Sequence, residues 1–281
     1  MIYTIENEYF RVSARHIGAE LCSFIRKDGN YQYLRQQDAV WNGQSPLLFP
    51  IVGRLREDRY QVCGKEYTLK KHGFALKLPF AIENHSKDEM TFLLTDSEAT
   101  KESYPFPFEL RVHYYFTTNG FVMEHRVKNT GKETMYFSVG AHPGFFCDMG
   151  DQIVMDEPET ADAFQLDENA LRAEKTLPVF HDSREVTVTP TVFEHNALIF
   201  DGLKSRGASL IRQNGNSVHV DFGGAPCLGL WAKPGASYVC IEPWYGIDDR
   251  YNAGHDFTKK ERICALNAGC EFVFPVTITT I

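Results

Sequence analysis

Three features of these 281 residues predict an all-β chain folded as a large antiparallel sandwich. Apolar and polar side chains alternate with a period of two in many short stretches. Residues that favour tight turns separate those stretches. Helical periodicity is weak, and no strand–helix–strand rhythm suggests a parallel sheet.

Taken in chain order, the elements follow one grammar. Lys27-Asp28-Gly29-Asn30 divides residues 21–25 from 31–34, and Cys63-Gly64-Lys65 divides 60–62 from 67–69. A short helix is expected within 96–103. Leu110, Val112, Tyr114 and Phe116 then alternate with Arg111, His113, Tyr115 and Thr117, the pattern of a half-buried strand. Asn119-Gly120 follows, a pair suited to a tight hairpin because both residues accept positive φ. The returning strand carries Phe121, Met123, His125 and Val127 on one face and Glu124, Arg126 and Lys128 on the other. Thr130-Gly131-Lys132 turns the chain into 135–141. The acidic, proline-containing stretch 148–182 reads as a long surface excursion, with a second short helix within 161–171. Asn214-Gly215-Asn216 divides 209–212 from 217–222. Residues 271–281, rich in Val, Ile, Thr and Phe, form a last strand, and Pro275 points to a sheet edge. No internal repeat or low-complexity linker interrupts the series, so one domain is expected over 1–281.

The bulk composition excludes several classes of partner. With 43% hydrophobic and 23% charged residues, the chain can bury a sizeable core. A net charge of −8 and the lack of a basic stripe argue against nucleic acid or an anionic membrane surface. No apolar run approaches the roughly 18 residues that a membrane helix needs. The first residues, Met1-Ile2-Tyr3-Thr4-Ile5-Glu6, lack the apolar core of a secretory signal. Seven cysteines without a C-x-x-C pair fit reduced thiols, so a cytoplasmic location is expected. Pairing of edge strands leaves monomer and homodimer equally open.

Four segments break the strand pattern and combine Gly or Pro with a reactive group: residues 50–55, 71–74, 140–146 and 241–246. They offer His142, Glu242, Arg54 and His72, with Phe145 and Trp244 as apolar faces on which a sugar ring could stack. Histidine exchanges a proton near neutrality, and a buried glutamate can act as a base. Arginine can hold paired oxygens. Together these groups suit acid/base work on a polyhydroxylated small molecule. Each also has a plainer reading. His142 could be a structural turn histidine, Glu242 a solvated strand-end carboxylate, Arg54 half of a surface ion pair, and His72 a surface neighbour of Lys70 and Lys71.

The segments LLFPIVGRL (47–55), KHGFA (71–75), SYPFPFEL (103–110), VGAHPGFF (139–146) and CIEPWYG (240–246) run in an order that resembles the aldose 1-epimerase (galactose mutarotase-like) superfamily. Within it they look most like the bacterial proteins associated with lactose-utilisation operons. The resemblance implies a β-supersandwich and a small-molecule sugar substrate, with neither metal nor organic cofactor. It implies that Glu242 takes the proton of the anomeric hydroxyl while His142 donates one to the ring oxygen. It also implies that Arg54 and His72 hold the substrate. The superfamily's hydroxyl-binding aspartate has no clear counterpart. Asn196 occupies the best-matching position, and Asp201 is the next carboxylate downstream.

The expected activity is therefore interconversion of the α and β anomers of a free hexose such as galactose or glucose. Three alternatives stay open on the sequence. A hexose-phosphate mutarotase would draw on the cluster Arg54, Arg56 and Arg59. A carbohydrate-binding or sensing protein would lack catalysis. A glycosidase would need a second carboxyl beside Glu242.

Overall fold

The computed structural model describes every residue from Met1 to Ile281. The alternation of side chains along its twenty-two strands produces two apolar sheet faces that close on each other. Fourteen strands form one antiparallel sheet. Four more, Ile2–Glu6, Phe10–Arg15, Leu21–Arg26 and Tyr31–Gln32, form a smaller sheet that covers part of it. Ring contacts join the two layers, with Phe24 4.9 Å from Phe121 and Tyr3 5.6 Å from Phe92. Tyr114 spans the same interface by donating its hydroxyl hydrogen to the Ala19 carbonyl at 2.7 Å. No helix is long and apolar enough to cross a membrane.

The strand Phe108–Thr117 shows the expected alternation: Phe108, Leu110, Val112 and Tyr114 are buried, while the residues between them remain partly accessible. It pairs with Gly120–Asn129 through a two-residue loop, Thr118-Asn119. Neither Asn119 nor Gly120 has positive φ, contrary to the sequence expectation. Gly120 is needed for another reason. A β-carbon there would strike the Ile278 carbonyl of the neighbouring strand Glu271–Thr280. At Cys63-Gly64 the expectation holds, since both residues adopt positive φ between Arg59–Val62 and Lys65–Thr68.

Three readings of the sequence are corrected. Glu271–Thr280 is not an edge strand: Gly120–Asn129 lies on one side and Val218–Asp221 on the other. The second partner reaches only Thr277, so Pro275 lies where that side is unpaired and its missing N–H costs no ladder bond. Residues 161–171 hold no helix, and 148–182 is no loose excursion. Gln152–Leu166 and Arg172–Thr187 make a long hairpin whose register shifts four times. The one α-helix is Glu98–Lys101, closed by a reciprocal cap between Ser97 and Thr100.

One end of the large sheet positions the candidate site. There Val139–Gly140, Tyr238–Tyr245, Cys227–Trp231 and Leu198–Asp201 lie side by side. Beneath them a small apolar cluster of Leu48, Val52, Ile199, Cys227, Trp244 and Ile247 is separate from the main core.

Candidate active site

Strand register brings His142 and Glu242 together across a hundred residues of chain. Gly140 stands opposite Trp244, and Gly144 opposite Cys240. The same register runs through the intervening residues, because the Ala141 N–H donates to Pro243 O at 3.1 Å and the Ile241 N–H to Pro143 O at 3.2 Å. Each of those pairs contains a proline and so makes one bond instead of two. Between them His142 faces Glu242 as a non-hydrogen-bonded cross-strand pair, the arrangement that brings side chains closest. His142 Nε2 lies 3.1 Å from Glu242 Oε2.

Both groups are buried, with 7% of His142 and 2% of Glu242 exposed. Burial lowers the His142 imidazole to about 3, and Lys71 adds to that shift. Burial raises the Glu242 carboxyl well above the usual carboxylate range; Lys71 opposes the rise and Asp248 adds to it. The two directions agree on a neutral pair, a protonated carboxyl 3.1 Å from a neutral imidazole. Its zwitterionic form, carboxylate beside imidazolium, is a single proton transfer away.

The pair opens onto a cavity of about 400 Å³ whose wall also includes Trp41, Lys71, His72, Asn196, Trp231, Trp244 and Asp248. Of the six expected substrate holders, His72, Asn196 and Trp244 line it. His72 is fixed by Gly53 from both sides. The Gly53 N–H donates to His72 Nδ1 at 3.1 Å, and the His72 N–H donates to the Gly53 carbonyl at 2.8 Å. Nδ1 is thereby occupied as an acceptor. Burial holds the ring neutral, which leaves the proton on Nε2. Asn196 adopts φ of 81° and turns its amide oxygen to the Ala197 N–H. The Trp244 indole lies where Gly140 and Gly229 of the flanking strands leave room, because a β-carbon at either would meet the ring. Its N–H and the His142 Nδ1 are both buried without a protein partner.

Arg54, Phe145 and Asp201 do not line the cavity. The guanidinium of Arg54 is held by Asp58 at 2.8 Å and by the Asn169 carbonyl at 3.0 Å, the surface ion pair of the plainer reading. Its backbone serves the site instead: the Arg54 N–H donates to Asp248 Oδ1 at 2.8 Å. Phe145 has the opposite parity to His142 along its strand, so its ring enters the main core. Asp201 is occupied by Arg262, whose Nη2 lies 2.6 Å from Oδ1.

Sequence reasoning missed Lys71, Asp248, Trp41 and Trp231. Asp248 is fully buried two residues past the Tyr245-Gly246 end of the last motif, and Lys71 enters the sequence reading only as a neighbour of His72. Trp41 lies in a polar stretch that gives no strand or helix signal. Its ring stacks on Tyr238 at 5.3 Å, meets His142 at 5.2 Å, and has the buried Arg35 guanidinium 5.0 Å from its centroid.

An antiparallel supersandwich that presents a buried His–Glu pair to a small polar and aromatic cavity has counterparts among known proteins. The aldose 1-epimerase family model matches residues 1–263, and the chain belongs to that family. The protein LacX of Lactococcus lactis subsp. lactis, in its chromosomal and plasmid forms, is 30% identical over 281 residues, covering 94% of both chains. A galactose mutarotase related enzyme from Lactobacillus acidophilus superposes with a TM-score of 0.93 at 35% identity, covering 100% of this chain and 97% of that one. A galactose mutarotase-like protein from Lactobacillus casei shares the fold with a TM-score of 0.94 at 24% identity, each chain being covered completely.

Proposed function

We propose that this chain is an isomerase that interconverts the α and β anomers of a free, uncharged hexose such as galactose or glucose. The 3.1 Å contact between His142 and Glu242 in the wall of a cavity carries this reading. With a pyranose seated there, the zwitterionic pair acts. Glu242 accepts the proton of the anomeric hydroxyl as C1–O1 becomes a carbonyl, while His142 delivers a proton to the ring oxygen as the C1–O5 bond breaks. The pair is left neutral, the form that burial favours, beside an open-chain aldehyde. Rotation about C1–C2 presents the other face of the carbonyl. Reclosure with both proton transfers reversed gives the other anomer and restores the zwitterion. His72 and Asn196 supply hydrogen bonds to hydroxyls, and Trp41, Trp231 and Trp244 supply apolar faces.

His142→Asn and Glu242→Gln each remove one proton carrier and nearly preserve shape. Both are expected to slow anomer interconversion by at least about a hundredfold. Polarimetry or anomer-resolved NMR on freshly dissolved α-galactose and α-glucose measures this. Unchanged rates in both variants would remove the assignment. Calorimetric sugar binding without any rate enhancement in the unaltered protein would favour a sensing role instead.

Asp248 supplies the second cavity carboxyl that the sequence did not reveal, so a glycosidase no longer fails for want of one. However, its Oδ1 is engaged by the Arg54 N–H, and Glu242 has a histidine 3.1 Å away as its contact partner. Release of nitrophenol from nitrophenyl glycosides would reveal hydrolysis.

A further inference from the structure

Cys240 has no part in the proposed proton transfers, yet it lies two residues before Glu242 on the same strand and so shares its face. Its thiol is free and fully buried. The residue directly opposite it, Gly144, has no side chain. The imidazole nitrogen of His142, the Cys240 sulfur and a Glu242 carboxylate oxygen all lie within 4.8 Å of one another. One residue from the sheet's outer edge and two of the neighbouring strand thus gather a nitrogen, a sulfur and an oxygen donor; His142 and Glu242 line the cavity, while Cys240 belongs to the main apolar core.

We propose that His142, Cys240 and Glu242 form a binding site for a borderline-soft divalent cation of the Zn²⁺ class, and that the bound ion blocks catalysis by occupying proton donor and acceptor at once. Three features favour this ion class over Mg²⁺ or Ca²⁺. The donors are mixed nitrogen, sulfur and oxygen, whereas hard cations take oxygen alone. Bond lengths of about 2.0 to 2.3 Å from zinc to such donors place them roughly 3 to 4 Å apart, and the His142–Glu242 contact is already in that range. A neutral imidazole, a thiolate and a carboxylate around a dication sum to zero charge, which a buried site needs. Three protein ligands leave the fourth position open toward the cavity, so a sugar hydroxyl and the ion compete for the same space. Binding follows from geometry alone, whereas its inhibitory effect rests on the function proposed above.

The test begins with the complete protein, stripped of metal by a chelator. Zn²⁺ binding is measured by calorimetry, and Co²⁺ serves as an optical probe through its thiolate-to-cobalt charge-transfer band in the near ultraviolet. The expected result is one ion per chain, a charge-transfer band, and loss of at least about 90% of anomer interconversion, restored by chelator. Cys240→Ser and Cys240→Ala should keep the metal-free rate, lose the band, and bind Zn²⁺ more weakly by at least about tenfold. Melting curves establish that each variant folds, and either one suffices. Absence of the Co²⁺ band in the unaltered protein overturns the site. So does unchanged Zn²⁺ affinity in both variants, which would assign binding to exposed thiols such as Cys63 and Cys270. If the band appears and the variants abolish it, but metal-free protein shows no mutarotation, the metal site stands and the enzymatic reading falls.

Discussion

At the scale of single residues, Gly53 does the most for the site without touching substrate. Its backbone grips His72 through both N–H and carbonyl, and its φ is +69°. A β-carbon there would collide with the Asp248 carboxyl. Gly53→Ala therefore combines left-handed strain of about 1 to 2 kcal/mol with displacement of a fully buried side chain. We expect a loss of about 2 kcal/mol or more in urea unfolding, with kcat/KM for galactose lower by at least about tenfold as His72 and Asp248 move. An unchanged unfolding midpoint would mean that Asp248 does not need the space. The same residue explains one limit of the sequence. The Gly-Arg pair marked this segment as important, but the arginine drew attention for its side chain. The structure uses its N–H, and no residue type advertises a backbone group.

At the scale of elements, the hairpins at Cys63-Gly64 and around Phe108–Thr117 were readable because turn chemistry and alternation are local. The hairpin Gln152–Leu166/Arg172–Thr187 was not, since its strands carry many exposed polar residues, each contains a proline, and bulges break the alternation. The opposition of His142 and Glu242 was hidden for another reason. Both sit before a proline in similar short motifs, but which strands become neighbours is a property of topology. Gly120–Asn129 makes an element-level prediction about acid stability. Its His125 is buried against Phe274, with ring centroids 5.1 Å apart, and burial lowers its imidazole from 6.5 to about 4. Between those values the unfolded chain binds a proton that the folded chain refuses. Stability should therefore fall as pH drops from 6.5 toward 4, by about 3 kcal/mol from this residue alone. His125→Phe should flatten the slope of unfolding free energy in that window by nearly one proton equivalent, while His72 and His142 keep the remainder. Urea titrations at several pH values measure the slope, and an identical slope in the variant would show that His125 titrates alike in both states.

At the scale of the whole molecule, the charge around the cavity decides between a free sugar and a sugar phosphate. The net charge of −8 contributes little, because exposed charges are screened beyond about 8 Å in physiological salt. What matters is the cavity wall, whose only lysine or arginine is Lys71. Against it stand Glu242, which must ionise to act as base, and the buried Asp248. The three arginines that suggested a phosphate site are engaged elsewhere. Arg54 is on Asp58 at 2.8 Å, Arg56 contacts the His255 ring at 2.8 Å, and Arg59 is held between Glu57 and Glu66. A phosphate dianion entering this cavity would meet two carboxyls and a single ammonium, without the paired guanidinium donors that make such binding strong. It would also hinder ionisation of Glu242, slowing the proton transfer as well as weakening binding. We therefore expect kcat/KM for galactose or glucose to exceed that for the corresponding 6-phosphates by at least about tenfold, most clearly at low ionic strength, where repulsion is least screened. Anomer-resolved NMR with both substrate types in one buffer provides the comparison. Faster turnover of the phosphates would mean that Lys71, together with cations outside this wall such as Lys175 and Lys233 of the adjoining open groove, governs specificity in place of the buried carboxyls.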